Sequence, residues 1–265
     1  VSANLGHYPL NPAYGSGTFR RRVSFSSWGN GIQVSLLDDF HEMSVALFVE
    51  DSVIVDAIAR MDRFPKTSCP GATAALRFLR GTSADGTPPS LTLDERGGQC
   101  THLVDLARLG LSWMARGGRA QTVEVALSDR DEARQQRLTV EVNGAPALQW
   151  LLHDEVITEP LEHCGQRLFG GFTRWVEDQF LPAEADLWRI AQMSVFVARG
   201  RAYIVDGPQP HRVSEEPARQ GACYSFSGAA FETAYDSTGY VRDMSDGLPS
   251  PYKAAQENIK MRSMR

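Results

Sequence analysis

The sequence predicts an α+β fold in which antiparallel sheets are covered by packed helices. Three observations lead there. Apolar residues alternate with polar ones in two separate blocks, near 18–60 and 120–157. Turn-forming residues, rich in Gly and Asn, punctuate each block. Helical spacing follows each block.

In the first block Val23 and Phe25 alternate, and Gly29-Asn30-Gly31 supplies turn chemistry. Ile32, Val34 and Leu36 continue the alternation, then Val45, Leu47 and Val49. Glu50-Asp51-Ser52 turns the chain, and Val53 to Ile58 completes a meander of three or four strands. Pro65 and Pro70 break the pattern. Residues 71–80 read as a helix with Leu76 and Leu79 on one face and Gly81 as its stop. Residues 82–98 form a polar loop. Thr101 is expected to cap a second helix carrying Leu103, Leu106, Gly110 and Trp113, which Gly117-Gly118 ends.

The second block repeats the order. Val123, Val125 and Leu127 alternate, then Leu138, Val140 and Val142, with Asn143-Gly144 as a hairpin signal before Leu148, Trp150 and Leu152. Helices are expected over 170–180 and 184–198, a strand at 201–205, a Pro-rich loop at 207–222 and a short helix near 228–236. This order divides the chain into an arm (1–17), a first half (18–118), a second half (119–245) and a tail (246–265). Two tandem strand–strand–strand–helix–helix halves or one larger sheet both fit it. An arm of this composition orders by packing on a partner or over a pocket.

With 42% hydrophobic and 22% charged residues among 265, the chain has material for a sizeable core. A net charge of -5 and scattered basic residues argue against nucleic acid. The one tight basic run, Arg20-Arg21-Arg22, reads as a solvated strand edge. No apolar run suits a membrane span. Four cysteines are too few for a disulfide scaffold and read as reduced thiols in a cytoplasmic protein.

Two segments concentrate chemistry. Asp38-Asp39-Phe40-His41-Glu42 surrounds one imidazole with carboxylates, the parts of a proton-transfer site or else a solvated turn with a capping histidine. In Gln99-Cys100-Thr101-His102-Leu103-Val104-Asp105, a thiol and an imidazole stand at a helix start, where the dipole lowers a thiol pKa. His41, His102, Cys100, Glu42 and Asp105 are the candidate catalytic residues. Cys69, Asp38 and Trp113 are the candidate substrate contacts, although a buried structural thiol is the default for Cys69. His41, Cys69, Cys100 and His102 could also hold zinc, without the CxxC spacing of a zinc ribbon. His153 and the His163-Cys164 pair read as surface, Cys223 as core, and Trp150, Trp175, Phe180 and Trp188 as packing. No phosphate loop, nucleophile elbow or dinucleotide fingerprint occurs.

Cys69-Pro70-Gly71, the Leu-x-x-Leu-x-Gly stretch ending at Gly81, and Gln-Cys-Thr-His-Leu before an apolar helix resemble the bacterial domain family of unknown function 2889. Cys223-Tyr224 and Val241-Arg242-Asp243 resemble the tail of its longer members, so the likeness spans about 18–245. That family in turn resembles the SufE/NifU iron–sulfur scaffold fold, a βββαα unit. This chain lacks a cysteine in the first ligand loop, where His41-Glu42 falls, which counts against cluster assembly. The resemblance implies either of two functions. One is a cofactor-independent acid–base lyase acting on a phenolic, lignin-like aromatic molecule, eliminating a fragment such as formaldehyde. The other is a metal-binding or partner-binding scaffold module.

Overall fold

The computed structural model describes residue 5, residues 7–85 and residues 97–249. Each run of alternation becomes a strand. The first four are β1 (Thr18–Trp28), β2 (Gly31–Asp38), β3 (Glu42–Glu50) and β4 (Val53–Arg63). The second four are β5 (Gln121–Ser128), β6 (Gln135–Val142), β7 (Ala145–His153) and β8 (Val156–Glu159). They form one antiparallel sheet in the order β4-β3-β2-β1-β5-β6-β7-β8. The fold is α+β, as expected, and each half contributes four strands, one more than a strand–strand–strand–helix–helix half holds. The two meanders meet where β1 pairs β5, from Thr18↔Ser128 to Phe25↔Gln121. Both halves therefore share one sheet and one continuous core.

The turns follow their local chemistry. Asn143 and Gly144 have φ of 52° and 78°, which the two-residue hairpin between β6 and β7 requires. Asp51 and Ser52 do the same between β3 and β4, with φ of 48° and 62°.

The helices differ more from expectation. The segment expected as one helix at 71–80 is a chain of tight turns: a 3-10 turn at Cys69–Gly71, a single α-turn α1 (Ala72–Ala75), and a 3-10 turn at Leu76–Leu79. Leu76 and Leu79 are fully buried, so the apolar spacing was real while the length was too short for a regular helix. Helix α2 (Thr101–Ala115) is capped by the backbone position of Cys100, and Thr101 is its first helical residue. The remaining helices are α3 (Phe172–Gln179), α4 (Pro182–Ala198), which opens on a proline, and α5 (Gly228–Thr233). The expected strand at 201–205 is a 3-10 turn, Arg199–Ala202, followed by a single bridge between Leu10 and Tyr203. Parts of the expected loop and tail, 86–96 and 250–265, lie outside the described residues.

Helices α2 and α4 cover the same apolar sheet face, α2 against β2 and β3, α4 against β1, β5 and β6. Gly110 sets the height of α2. A Cβ there would lie 2.9 Å from Val34 Cγ2. Trp113, expected to touch substrate, is instead core: 3% exposed, 5.8 Å from the Phe25 ring, with Nε1 donating to the Arg119 carbonyl at 2.9 Å. It lies on the helix face that packs on the sheet. On the second half, Trp150, Phe172, Trp175, Phe180 and Trp188 pack ring to ring. His163, expected at the surface, stands edge-on to Trp188 at 4.8 Å, while Cys164 is exposed.

The Arg20-Arg21-Arg22 run is not a solvated edge. It lies on β1, the strand at the centre of the sheet, and Arg21 and Arg22 are buried. Arg22 pairs across the strand with Glu124 at 2.7 Å. Arg21 faces the core side, where its partner is Asp38.

Candidate functional site

The turn from β2 to β3 starts the site. Asp38 ends β2, and its Oδ1 accepts the backbone N–H groups of Phe40 at 2.8 Å and His41 at 2.7 Å. Short acidic side chains commonly bond their own backbone two residues on. The same Oδ1 lies 3.1 Å from His41 Nδ1. Oδ2 accepts from Arg21 Nη2 and Nε at 2.6 and 3.0 Å. Burial alone would raise the Asp38 carboxyl. The neighbouring His41 imidazole, the Arg21 guanidinium and the hydrogen bonds outweigh it and hold the group well below the usual carboxylate range. A carboxylate can only accept, so Nδ1 carries the imidazole proton and Nε2 is left as a base.

The first turn of α2 supplies the second imidazole. His102 stacks 4.4 Å from His41, ring centre to ring centre, although the two are far apart in sequence. Its Nε2 is sealed from solvent and has no hydrogen-bond partner among the described residues. Burial, then the nearby His41 and Arg21, push the His102 pKa well below its ordinary value of 6.5, so the ring is neutral.

His41 and His102 line a cavity of about 440 Å³, a size suited to a small organic molecule. Cys69 and Cys100 line it too. Phe40, Met43, Met61, Phe64, Phe169 and Phe196 make much of its wall apolar. Neither thiol is activated. Burial pushes Cys100 up to about 12, and the backbone N–H groups of Leu103 and His102 only partly oppose it. Burial also raises Cys69, whose Sγ lies 3.3 Å from Ser225 Oγ. The helix dipole expected to lower the Cys100 pKa loses to desolvation.

Three other expected residues stand elsewhere. Asp38 lies behind His41, fully buried, and does not line the cavity. It orients the imidazole in place of touching substrate. Glu42 points toward Arg63, 3.8 Å away, and is not on the wall. Asp105 accepts from Arg108 Nε and Nη2 at 3.2 and 3.1 Å and lines a separate small cleft. Among the described residues no three His, Cys, Asp or Glu side chains gather where they could hold a metal ion. The set His41, Cys69, Cys100 and His102 shares a wall without forming a ligand cluster.

Part of the cavity wall comes from residues that no sequence pattern marks. Lys66, just past β4, is buried and donates to Asp236 Oδ1 at 2.5 Å, Glu216 Oε1 at 2.9 Å and the Tyr8 hydroxyl at 3.1 Å. Tyr8 donates in turn to Asp236 Oδ2 at 2.8 Å. Burial first, then the carboxylates, raise the Tyr8 pKa far above its ordinary value. Arg219 closes the group on Glu216 Oε2 at 2.9 Å. The arm thus orders over the pocket. Tyr240 also lines the cavity, and Arg63 braces the His41 turn from behind. Their segments carry no periodic signal, and pairing over 58 to 228 residues brings Lys66 together with Tyr8, and both with Glu216 and Asp236.

No helix among the described residues is long and apolar enough to cross a membrane. Residues 27–112 match the family model described as a protein of unknown function, DUF2889. The match covers about a third of the chain and is narrower than the likeness over 18–245. No curated protein matches the chain.

Proposed function

For a chain whose residues 27–112 carry a DUF2889 domain, we propose a cofactor-independent acid–base lyase acting on a phenolic small molecule. One observation carries this reading: an Asp38-oriented imidazole opens onto a largely apolar cavity beside a second, neutral imidazole. That pairing of a positioned base with a water-poor pocket is the equipment of proton-transfer catalysis.

The step we propose balances without an oxidant. His41 Nε2 takes the proton of a hydroxymethyl O–H on the substrate side chain. The oxygen's electron pair forms the C=O of formaldehyde as the adjoining C–C bond breaks. That C–C pair becomes a C=C bond to the neighbouring carbon, whose bond to an oxygen leaving group breaks. The leaving oxygen finally holds the proton that His41 removed. Asp38 stabilises the imidazolium formed on the way, and Arg21 keeps Asp38 ionised. His102, neutral, does not compete for the proton.

The matched domain supplies the imidazoles and both thiols. Phe169, Phe196 and Tyr240, from outside it, complete the wall. Formaldehyde release from hydroxymethyl-bearing phenolic ethers tests the proposal. His41→Ala is expected to abolish release while the melting temperature holds. Unchanged release in both His41→Ala and His102→Ala would remove the assignment.

A further inference from the structure

The longest polar side chains on the cavity wall already have partners inside the protein. Lys66 spends its three donors on Asp236, Glu216 and Tyr8. Arg199 is held by Glu155 through Nε and Nη2, both at 2.6 Å. Gln192 donates to the Leu168 carbonyl at 2.8 Å. Tyr240 is different. It is 8% exposed and lines the cavity, and among the described residues its hydroxyl makes no hydrogen bond. Buried tyrosine hydroxyls normally find a partner, so one left open at a cavity wall calls for a reason.

The backbone around Tyr240 is fixed to the His41 turn. One guanidinium, that of Arg63, donates to the Tyr240 carbonyl at 3.1 Å and to the His41 carbonyl at 3.0 Å. It also donates to the Asp39 carbonyl at 2.6 Å and to the carbonyl of Asp38. Two residues on, the Arg242 N–H donates to the Asp39 carbonyl at 2.8 Å. Between them the Val241 N–H donates to Asp206 Oδ2 at 3.0 Å. The Tyr240 ring lies 6.5 Å from that of Phe40, in the same turn. His41 and Tyr240 are thus held in one frame, about two hundred residues apart in the chain.

We infer that the Tyr240 hydroxyl is a second catalytic group of this site, donating a hydrogen bond to the substrate oxygen that gathers negative charge as it leaves. This rests on the lyase reading, in which His41 is the base. Burial, with the Asp236 and Asp206 carboxylates nearby, raises the Tyr240 pKa far above its ordinary value, so the group keeps its proton and acts as a donor. The substrate class follows. It carries a hydroxymethyl group for His41 and an ether oxygen on the adjacent carbon for Tyr240.

The test compares wild type, Tyr240→Phe, Tyr8→Phe and His41→Ala on aryl ethers with a hydroxymethyl group on the carbon next to the ether carbon. Their aryloxides range from phenoxide to 4-nitrophenoxide. Loss of one such donor costs about 10²- to 10³-fold in kcat. Tyr240→Phe is expected to lose that much with the phenoxide substrate and much less with 4-nitrophenoxide, at little change in KM. Tyr8→Phe, whose hydroxyl is already spent, is expected to lower stability and leave the leaving-group dependence as in wild type. A Tyr240→Phe enzyme with the wild-type rate, or with an equal loss for every leaving group, overturns the role. If His41→Ala turns over normally, the lyase reading fails. A Tyr240→Phe profile unlike wild type would still show that Tyr240 faces the leaving oxygen. Failure of all these substrates with wild type overturns both.

Discussion

Two polar clusters contribute residues to the cavity wall, and they differ in what they leave open. The Lys66 cluster closes on itself: ammonium, phenol and two carboxylates satisfy one another. The His41 cluster is closed at the back, through Asp38 and Arg21, and open at the front, where His41 lines the cavity; Nε2 of His102, buried beside it, lacks a partner. A buried polar group left unpaired costs about 1–3 kcal/mol. The same contrast separates two tyrosines that line the cavity, Tyr8 spent and Tyr240 open. On the proposed reading, chemistry belongs to the open cluster and stability to the closed one.

The sharpest way to break this comparison is at the open cluster. Asp38→Asn removes the carboxylate that fixes the His41 tautomer and stabilises its imidazolium. We expect a ~10²- to 10⁴-fold fall in turnover, measured as formaldehyde release, in a chain that stays folded. A fall below threefold would mean that His41 is no base.

The closed cluster should answer in stability instead. Lys66→Met leaves the Asp236 and Glu216 carboxylates buried beside an apolar side chain. Breaking a buried ion pair by removing one partner costs about 3–5 kcal/mol. Urea unfolding should show that loss, and the triple change Lys66→Met, Asp236→Asn, Glu216→Gln should recover part of it. Equal stability of wild type and Lys66→Met would show that the network bears no strain.

A third measurement separates the imidazoles by pH. His102 stays neutral in the folded chain, whereas in the unfolded chain it takes a proton near its ordinary value of 6.5. Below 6.5 the unfolded state binds the extra proton, so stability falls with falling pH until the lowered folded value is reached. The contribution is complete above 6.5. One proton corresponds to at most about 1.4 kcal/mol per pH unit. His102→Phe should flatten the wild-type slope between pH 7 and 5. Parallel slopes would place a partner on His102 in solution.

The smallest effect is expected at Cys100. Its thiol, raised to about 12, holds almost no thiolate at neutral pH. Cys100→Ser should keep turnover within about threefold, and iodoacetamide should label the wild-type thiol slowly. Rapid labelling would restore a thiolate role.

What the sequence disclosed divides along the same line. Strands and turns were legible because alternation and Asn143-Gly144 chemistry are local. So was the meeting of His41 with His102, since both stand at element ends that a meander followed by a helix brings to one side. Arg21 was not legible. An arginine on a strand reads as solvated unless its partner is known, and Asp38 becomes its neighbour only through β1–β2 register. Trp113 sits at the same spacing as the core leucines of α2, and nothing local says whether an aromatic on that face meets sheet or ligand. Cys100 was misjudged because a dipole can be read from a helix start, whereas desolvation depends on everything packed around it. Tyr8, Lys66 and Tyr240 come from aperiodic segments, where sequence patterns give no purchase.

The missing side chain at Gly110 reaches further than its own contact. Eight residues separate it from His102, about 12 Å along the helix axis at 1.5 Å per residue. Helix α2 therefore works as a lever, pivoting where its backbone rests on Val34 and carrying an imidazole at its free end. An added methyl at the pivot would move Val34 or lift the rod, since 2.9 Å is closer than a real Cβ sits to a neighbour. A lift of a few tenths of an ångström would be delivered, undiminished, to a ring whose whole distance from its neighbour's centre is 4.4 Å. The alignment of the two histidines is thus set partly by an atom that is absent, in a place away from the cavity wall.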